Sequence, residues 1–298
     1  NYMISKKILF LVAVLFSLYN SQTCVSAPIV FNSTQTNIVD LEKNISILED
    51  STRLFTIDSI IQNSSNHIFN QITSTNINRG FTDSAFWIKI STKNNTNQDK
   101  IMLLSIAYPL LNEVYFYETD HFLVLNKIIT GELHPFKTRG VNNRNFLFTL
   151  KTKANESRTF YVRVYNNGET VRLPLILSMA DEFNETESSD IFWMAIYYGF
   201  LFFGLIFNLL LLFSLKKRMY LYFSIYVLSM TIVLMILDGL AFQFFYPNGS
   251  WFANKSIIYV TMVSNASMIL FTRNFYFEER KIKFLHYFTR AFLLIYVL

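Results

Sequence analysis

Residues 191–215 read IFWMAIYYGFLFFGLIFNLLLLFSL, 25 positions without a charged side chain, and Lys216-Lys217-Arg218 stop the run. As a helix at ~1.5 Å per residue the stretch reaches ~37 Å, enough to cross a ~30 Å hydrocarbon core with some tilt. The pattern continues on its C-terminal side. Residues 219–246 form a second apolar run broken only by Asp238, and 257–277 a third that carries Arg273. Between them Pro247–Asn254 is a short uncharged turn. A fourth run, 284–298, has 15 residues after Lys283 and ends in Ile295-Tyr296-Val297-Leu298. That is short of the ~20 residues a span needs, so the helical bundle reads as truncated.

The composition agrees. Hydrophobic residues make up 52% of the chain and charged ones 16%, against ~25% charged in an average soluble protein. The single cysteine, Cys24, excludes an internal disulfide and any multi-Cys metal or redox motif. The net charge of +5 raises the question of nucleic acid, but residues 1–185 hold 17 basic and 16 acidic side chains. No basic patch is left on the polar half, and a nucleic-acid partner is excluded. The excess sits instead in the loops 216–218 and 278–283, with none in 247–254. Basic loops stay in the cytoplasm, so the 247–254 turn faces out. Lys6 and Lys7 ahead of the 12-residue run Ile8–Tyr19 predict a signal peptide over 1–27. Both signals describe a multi-pass protein of the cytoplasmic (inner) membrane with residues 28–185 periplasmic or extracellular.

Residues 28–185 alternate short β-like runs with Asn, Gly, Lys and Pro clusters. Strands are expected at Phe86–Ser91, Ile101–Ala107, Glu113–Glu118, Phe122–Ile129, Asn145–Lys151, Thr159–Tyr165 and Leu173–Ser178, which is the pattern of an antiparallel sandwich. From Thr159 on, Phe160, Val162 and Val164 face one way and Tyr161, Arg163 and Tyr165 the other. The fold class is therefore an all-β sandwich (28–185) followed by a transmembrane α-helical bundle (186–298), with helices about 191–215, 219–246, 257–277 and an incomplete 284–298.

Several of these residues resemble a known family in their order. They are Ala85-Phe86-Trp87-Ile88-Lys89-Ile90, the run Tyr108-Pro109-Leu110-Leu111-Asn112-Glu113-Val114-Tyr115-Phe116-Tyr117, and Gly131, Pro135, Arg139, Phe146 and Phe148. Thr159-Phe160-Tyr161-Val162-Arg163-Val164, Tyr198-Gly199 through Asn208, Arg218-Met219-Tyr220-Leu221-Tyr222 and Gly239 complete the set. The arrangement is similar to the bacterial seven-transmembrane receptors with diverse intracellular signalling modules. Asn112 stands where the family pattern has Asp. The resemblance implies a jelly-roll-like outer domain that takes a carbohydrate or another small ligand. It also implies seven helices and a cytoplasmic output, commonly a histidine kinase or diguanylate cyclase.

Sugars present C–H faces that stack on rings and hydroxyls that suit planar polar groups. Trp87, Tyr115, Tyr117, Tyr161 and Arg163 on the strands, with Arg139 and Arg144 in the adjoining loop, are the candidate ligand-binding residues. The competing reading of each is structural, since Tyr and Trp are good strand residues. Asp238 is the sharpest membrane residue, expected about eight residues from the outer end of the second span. Asn208 and Asn265 are expected to hydrogen-bond between helices, and these three are the candidates for membrane coupling. His67, His121, His134 and His286 lack metal-ligand spacing, and no nucleophile, P-loop or glycine fingerprint occurs. No metal, cofactor or catalysis is expected. The leading expectation is a signalling receptor in the lipid bilayer, with a homodimer left open. The rival is a transporter or membrane-complex subunit, which would need polar residues lining a continuous pathway rather than isolated ones.

Overall fold

The computed structural model describes residues 26–32, 44–62, 69–72, 74–120 and 123–279. Residues 1–25 of the expected signal peptide and the fourth apolar run, 284–298, lie outside the described residues. The elements are β1 (Ile29–Phe31), β2 (Ile45–Asp50), α1 (Ile57–Gln62), β3 (Asn70–Gln71), β4 (Asn76–Phe81), β5 (Ala85–Asn94), β6 (Lys100–Ile106) and β7 (Glu113–Asp120). They continue with β8 (Leu123–Thr130), a 3-10 turn at Phe136–Arg139, β9 (Phe146–Thr152), β10 (Ser157–Tyr165) and β11 (Thr170–Met179). Helices α2 (Ala180–Leu215), α3 (Arg218–Leu237), α4 (Leu240–Phe244) and α5 (Ser250–Glu279) follow.

Two sheets face each other. One runs β3-β2-β5-β10-β7-β8, with β1 added parallel to the end of β5, and the other β4-β11-β6-β9. All other pairings are antiparallel. The seven expected strands are present, and the period-2 alternation decides what each face does. Phe160, Val162 and Val164 point into the core with Phe86, Ile88 and Phe116, against Leu104, Phe146, Phe148 and Leu173 of the other sheet. Phe116 and Phe148 stack across the gap with ring centroids 4.8 Å apart. Burying side chains of this size is worth ~1.5–3 kcal/mol each.

Helix α2 begins directly off β11, at Ala180 rather than 191. Asp181 and Glu182 in its first turn suit the positive end of the helix dipole. Its 36 residues extend ~54 Å, well beyond a ~30 Å hydrocarbon core, so its polar first turns stand outside the bilayer. Lys216, in the left-handed region at φ 55, closes it by donating its N–H to the Leu212 carbonyl. Among the described residues, three helices are long and apolar enough to cross a membrane. Helix α3 lies between the other two and packs Phe223 against Phe271 of α5, ring centroids 4.9 Å apart and tilted by 47°.

The second apolar run is not a single span. Helix α3 stops at Leu237, Asp238 caps it, and Gly239 at φ 77 turns the chain into α4. Hydropathy is blind to this break because Leu240-Ala241-Phe242 continue the apolar composition. Asp238 therefore stands at the end of the helix, not two turns inside a span.

Candidate functional site

Two places concentrate polar chemistry on this scaffold. The first is the outer face of the large sheet. Strands β5, β10 and β7 run side by side and register Trp87 with Arg163, and Arg163 with Tyr115. The alternation that sends Phe160 and Val162 inward sends Tyr161 and Arg163 outward. Trp87 and Tyr117 stack at 6.0 Å, and Tyr117 and Tyr115 at 6.5 Å. The Arg163 guanidinium lies 5.4 Å from the Tyr115 ring and 5.9 Å from Trp87, and Lys127 Nζ 5.6 Å from Tyr117. Such cation–ring contacts are worth ~0.5–1 kcal/mol when exposed and more when desolvated.

Much of this face is covered. Ile60 and Ile61 of α1 close over Trp87, Tyr117 and Tyr161, leaving Trp87 0% and the two tyrosines 5% exposed. Burial pushes the Tyr161 hydroxyl up to about 12. The half-exposed end of the stack consists of Tyr115 and Arg163, with the Tyr115 hydroxyl donating to Glu113 Oε2 at 3.0 Å. Arg53 Nη1 donates to the Tyr165 hydroxyl nearby at 3.0 Å. Trp87 Nε1 and Arg163 Nε are buried donors with no acceptor among the described residues.

The second place is where the sandwich rests on the helices. Arg139 belongs here, away from the rings it was expected to accompany. It is 2% exposed. Its guanidinium donates to the carbonyls of Arg144 and Pro109 and lies over Phe136, Phe146 and Phe242 at 4.8, 4.2 and 5.5 Å. Burial lowers it to about 9, with Glu132 opposing. Phe136 and Phe242 of α4 meet edge to face at 5.5 Å, and the Phe136 N–H donates to the Pro247 carbonyl at 2.7 Å. A Cβ built on Gly239 would stand 2.6 Å from the Pro109 side chain, so only glycine permits this approach.

Asn254 of α5 reaches up from the helices, donating through Nδ2 to Asn112 Oδ1 at 2.8 Å and Glu169 Oε1 at 3.1 Å. Beside it Glu132 is 5% exposed. Burial first, then the Glu169 charge, push its carboxyl up to about 7, against Arg139 and the Asn254 amide. Arg144 lies at the same junction, its Nη2 3.8 Å from Asp190 Oδ2 of α2. Asp238 Oδ2 accepts the Tyr198 hydroxyl of α2 at 2.6 Å.

Of the membrane candidates, Asp238 bridges two helices, since its Tyr198 bond joins the end of α3 to α2. Asn208 Nδ2 donates within its own helix, to the Gly204 carbonyl at 2.8 Å. Asn265 is exposed on α5. Sequence reasoning missed Glu132, Pro109, Phe242 and Asn254 as junction residues. The only available signal was a polar Asn at the head of an apolar helix, since nothing local to Glu132 marks it as buried. Among the described residues no group of His, Cys, Asp or Glu could hold a metal ion.

The description "7TMR-DISM extracellular 2" matches residues 42–178, and "7TM diverse intracellular signalling" matches 190–298. No curated protein matches the chain at a significant level. Among solved structures it is similar to a beta-glucosidase from Kluyveromyces marxianus in complex with glucose, at 9% identity and TM-score 0.29, over 56% of this chain and 21% of that one. An anti-sigma factor domain-containing protein is similar at 10% identity and TM-score 0.25, over 50% and 46%. The chain thus spans less than half the length of either. The two family matches follow one another along the chain as the sandwich and the helices do, and the chain belongs to the seven-transmembrane receptors with diverse intracellular signalling modules.

Proposed function

We propose that the sandwich senses a small carbohydrate at the open end of its ring stack and that the helices carry the response to a cytoplasmic output. Membership of the family gives the coarser statement, a membrane receptor with an extracellular sensor domain and a signalling role. The finer reading rests on one observation above all. The sandwich touches α4 through Pro109 on Gly239 and Arg139 on Phe242, with no spacer between sensor and helices. A ligand that favours one tilt of the sandwich thereby favours one arrangement of α3 and α5, and the shift equals its difference in affinity for the two.

Tyr115 and Arg163 are the contact residues in this reading, with Arg53 and Tyr165 beside them and Trp87, Tyr117 and Tyr161 as the buried support. Arg139 and Arg144 serve the junction instead. The sandwich lies on the periplasmic or extracellular side of the inner membrane, and a homodimer would give the output module its partner.

Calorimetry on the purified full chain with glucose, cellobiose and N-acetylglucosamine tests this reading. At least one sugar binds, and Arg163→Ala weakens it on the order of tenfold or more, the loss of a charge-assisted hydrogen bond. Lys137→Ala, an exposed change in the loop, serves as the control. Binding that Arg163→Ala leaves intact, or no binding of any of the three, would remove the carbohydrate reading.

A further inference from the structure

Two clefts flank α2 as it leaves the sandwich, and both are lined by Arg144, Phe183 and Glu187. The first, about 530 Å³, is lined by charged and apolar side chains together, with Ser105, Ser178, Arg172, Asp190 and Asp238 on its walls. The second, about 680 Å³, is walled by Leu147, Ile191, Met194, Ala195, Leu240 and Phe244. Its lower wall is the start of the apolar run of α2, so it opens sideways toward the bilayer.

The charges are mixed and incompletely matched. Arg144 reaches Asp190 only at 3.8 Å, and its Nε is buried without an acceptor among the described residues. Ser178, 7% exposed, has an Oγ in the same condition. Glu182, Glu187 and Asp190 project from α2 and Asp238 from the end of α3, opposite Arg144 and Arg172. An anion alone at Arg144 would meet four carboxylates. A cation alone would leave the buried Nε unsatisfied, at the full cost of an unpaired polar group. A head carrying both charges answers each side, and an attached chain answers the apolar cleft.

We infer that this junction is a binding site for a zwitterionic phospholipid with a primary ammonium, a phosphoethanolamine head entering from the outer leaflet. The phosphate pairs with Arg144, whose fork of donors suits its oxygens. The ammonium, with three N–H donors, is shared among Asp190, Glu187 and Asp238. One acyl chain lies along Met194, Ala195, Leu240 and Phe244. A soluble zwitterion would leave those walls bare, which favours the lipid. Bound there, the lipid joins the sandwich to α2 and α3, whichever ligand the ring stack takes.

Native mass spectrometry of the full chain, with phosphatidylethanolamine, phosphatidylcholine or phosphatidylglycerol added singly, tests the site. The expected result is retention of phosphatidylethanolamine over both others on the order of tenfold, what one charge-assisted hydrogen bond gives. Asp190→Asn erases the preference, and because that side chain is 56% exposed the variant folds; a thermal melt checks this. Arg144→Gln lowers retention of every phospholipid. Equal retention of the three lipids would mean ordinary boundary lipid and overturn the site. Preference for phosphatidylglycerol would reduce it to an anion contact at Arg144 and overturn the zwitterion. Displacement by soluble O-phosphoethanolamine at the same concentration as the lipid would show that the apolar cleft contributes nothing, which also overturns it.

Discussion

Gly239 carries the bend between α3 and α4, and a methyl group there has nowhere to go. Its φ of 77 puts it in the left-handed region, and the added Cβ would meet Pro109 at 2.6 Å. Left-handed backbone costs a non-glycine residue ~1–2 kcal/mol before the clash is counted. Gly239→Ala is therefore expected to loosen the junction by ~1–3 kcal/mol, lowering the thermal midpoint and opening the 131–145 loop to protease. Unchanged protection would mean that the sandwich does not rest on this turn. Glu132 makes the same junction depend on pH. Its carboxyl stands at about 7 when docked, against an ordinary 4.5. Facing it are Glu169, Arg139 and the Asn254 amide, and Tyr108 and Tyr246 feel its charge. A carboxyl raised by docking contributes stability that is full below about 4.5 and lost as pH rises through about 7. The amount is at most ~3 kcal/mol. The wild-type melting temperature should thus fall across this window relative to Glu132→Gln, which holds the neutral state at every pH. Parallel pH curves for the two proteins would sink the assignment.

Helix α2 changes its surroundings along its length, and that can be read by hydrogen exchange. Its first eleven residues include Asp181, Glu182, Glu185, Glu187 and Asp190, while 191–215 carry no charge. In a lipid nanodisc the amides of 182–190 should exchange within minutes and those of 200–213 stay protected for hours. Uniform protection from 180 onward would place the polar turns in the bilayer and overturn the level assigned to Asp190 and Arg144. The strands show why some elements were legible in the sequence and others not. Thr159–Tyr165 alternates large apolar with polar aromatic residues, and its two faces came out as read. β4, Asn76–Phe81, reads NINRGF, with only Ile77 buried. It pairs along β11 through backbone hydrogen bonds that composition does not record. α1 is six residues long with two buried, Ile60 and Ile61, too short for a helical period to emerge. Yet those two isoleucines cover Trp87, which is why the ring stack was legible as a face but its closure was not. Arg139 resembled a ligand residue for a similar reason. A loop arginine is ordinarily exposed, and here Phe136 and Phe146, together with Phe242 from 103 positions further along the chain, bury it.

For the molecule as a whole, side is the testable property. The Phe136 N–H donates to the Pro247 carbonyl and Gln243 to Asn142, so the α4–α5 turn lies on the sandwich side of the helices. The Lys216–Arg218 turn is separated from it by the full 20 residues of α3, ~30 Å of helix. Each lysine or arginine placed at the centre of a bilayer costs ~2.5–3.5 kcal/mol on insertion scales. Three together hold this turn out of the hydrocarbon, and in the proposed orientation, with basic loops kept in the cytoplasm, the sandwich is expected outside. Asn248 and Lys217 are both exposed, so a cysteine at either one reports its compartment. In a Cys24→Ser background, Asn248→Cys should react with a membrane-impermeant maleimide in sealed right-side-out vesicles. Lys217→Cys should react only after permeabilisation. The reverse pattern would put the sensor in the cytoplasm, where a ligand from outside could not reach Tyr115 and Arg163. Equal labelling of both would mean that α2 and α3 do not cross the membrane, and the sandwich would then have no transmembrane lever to move.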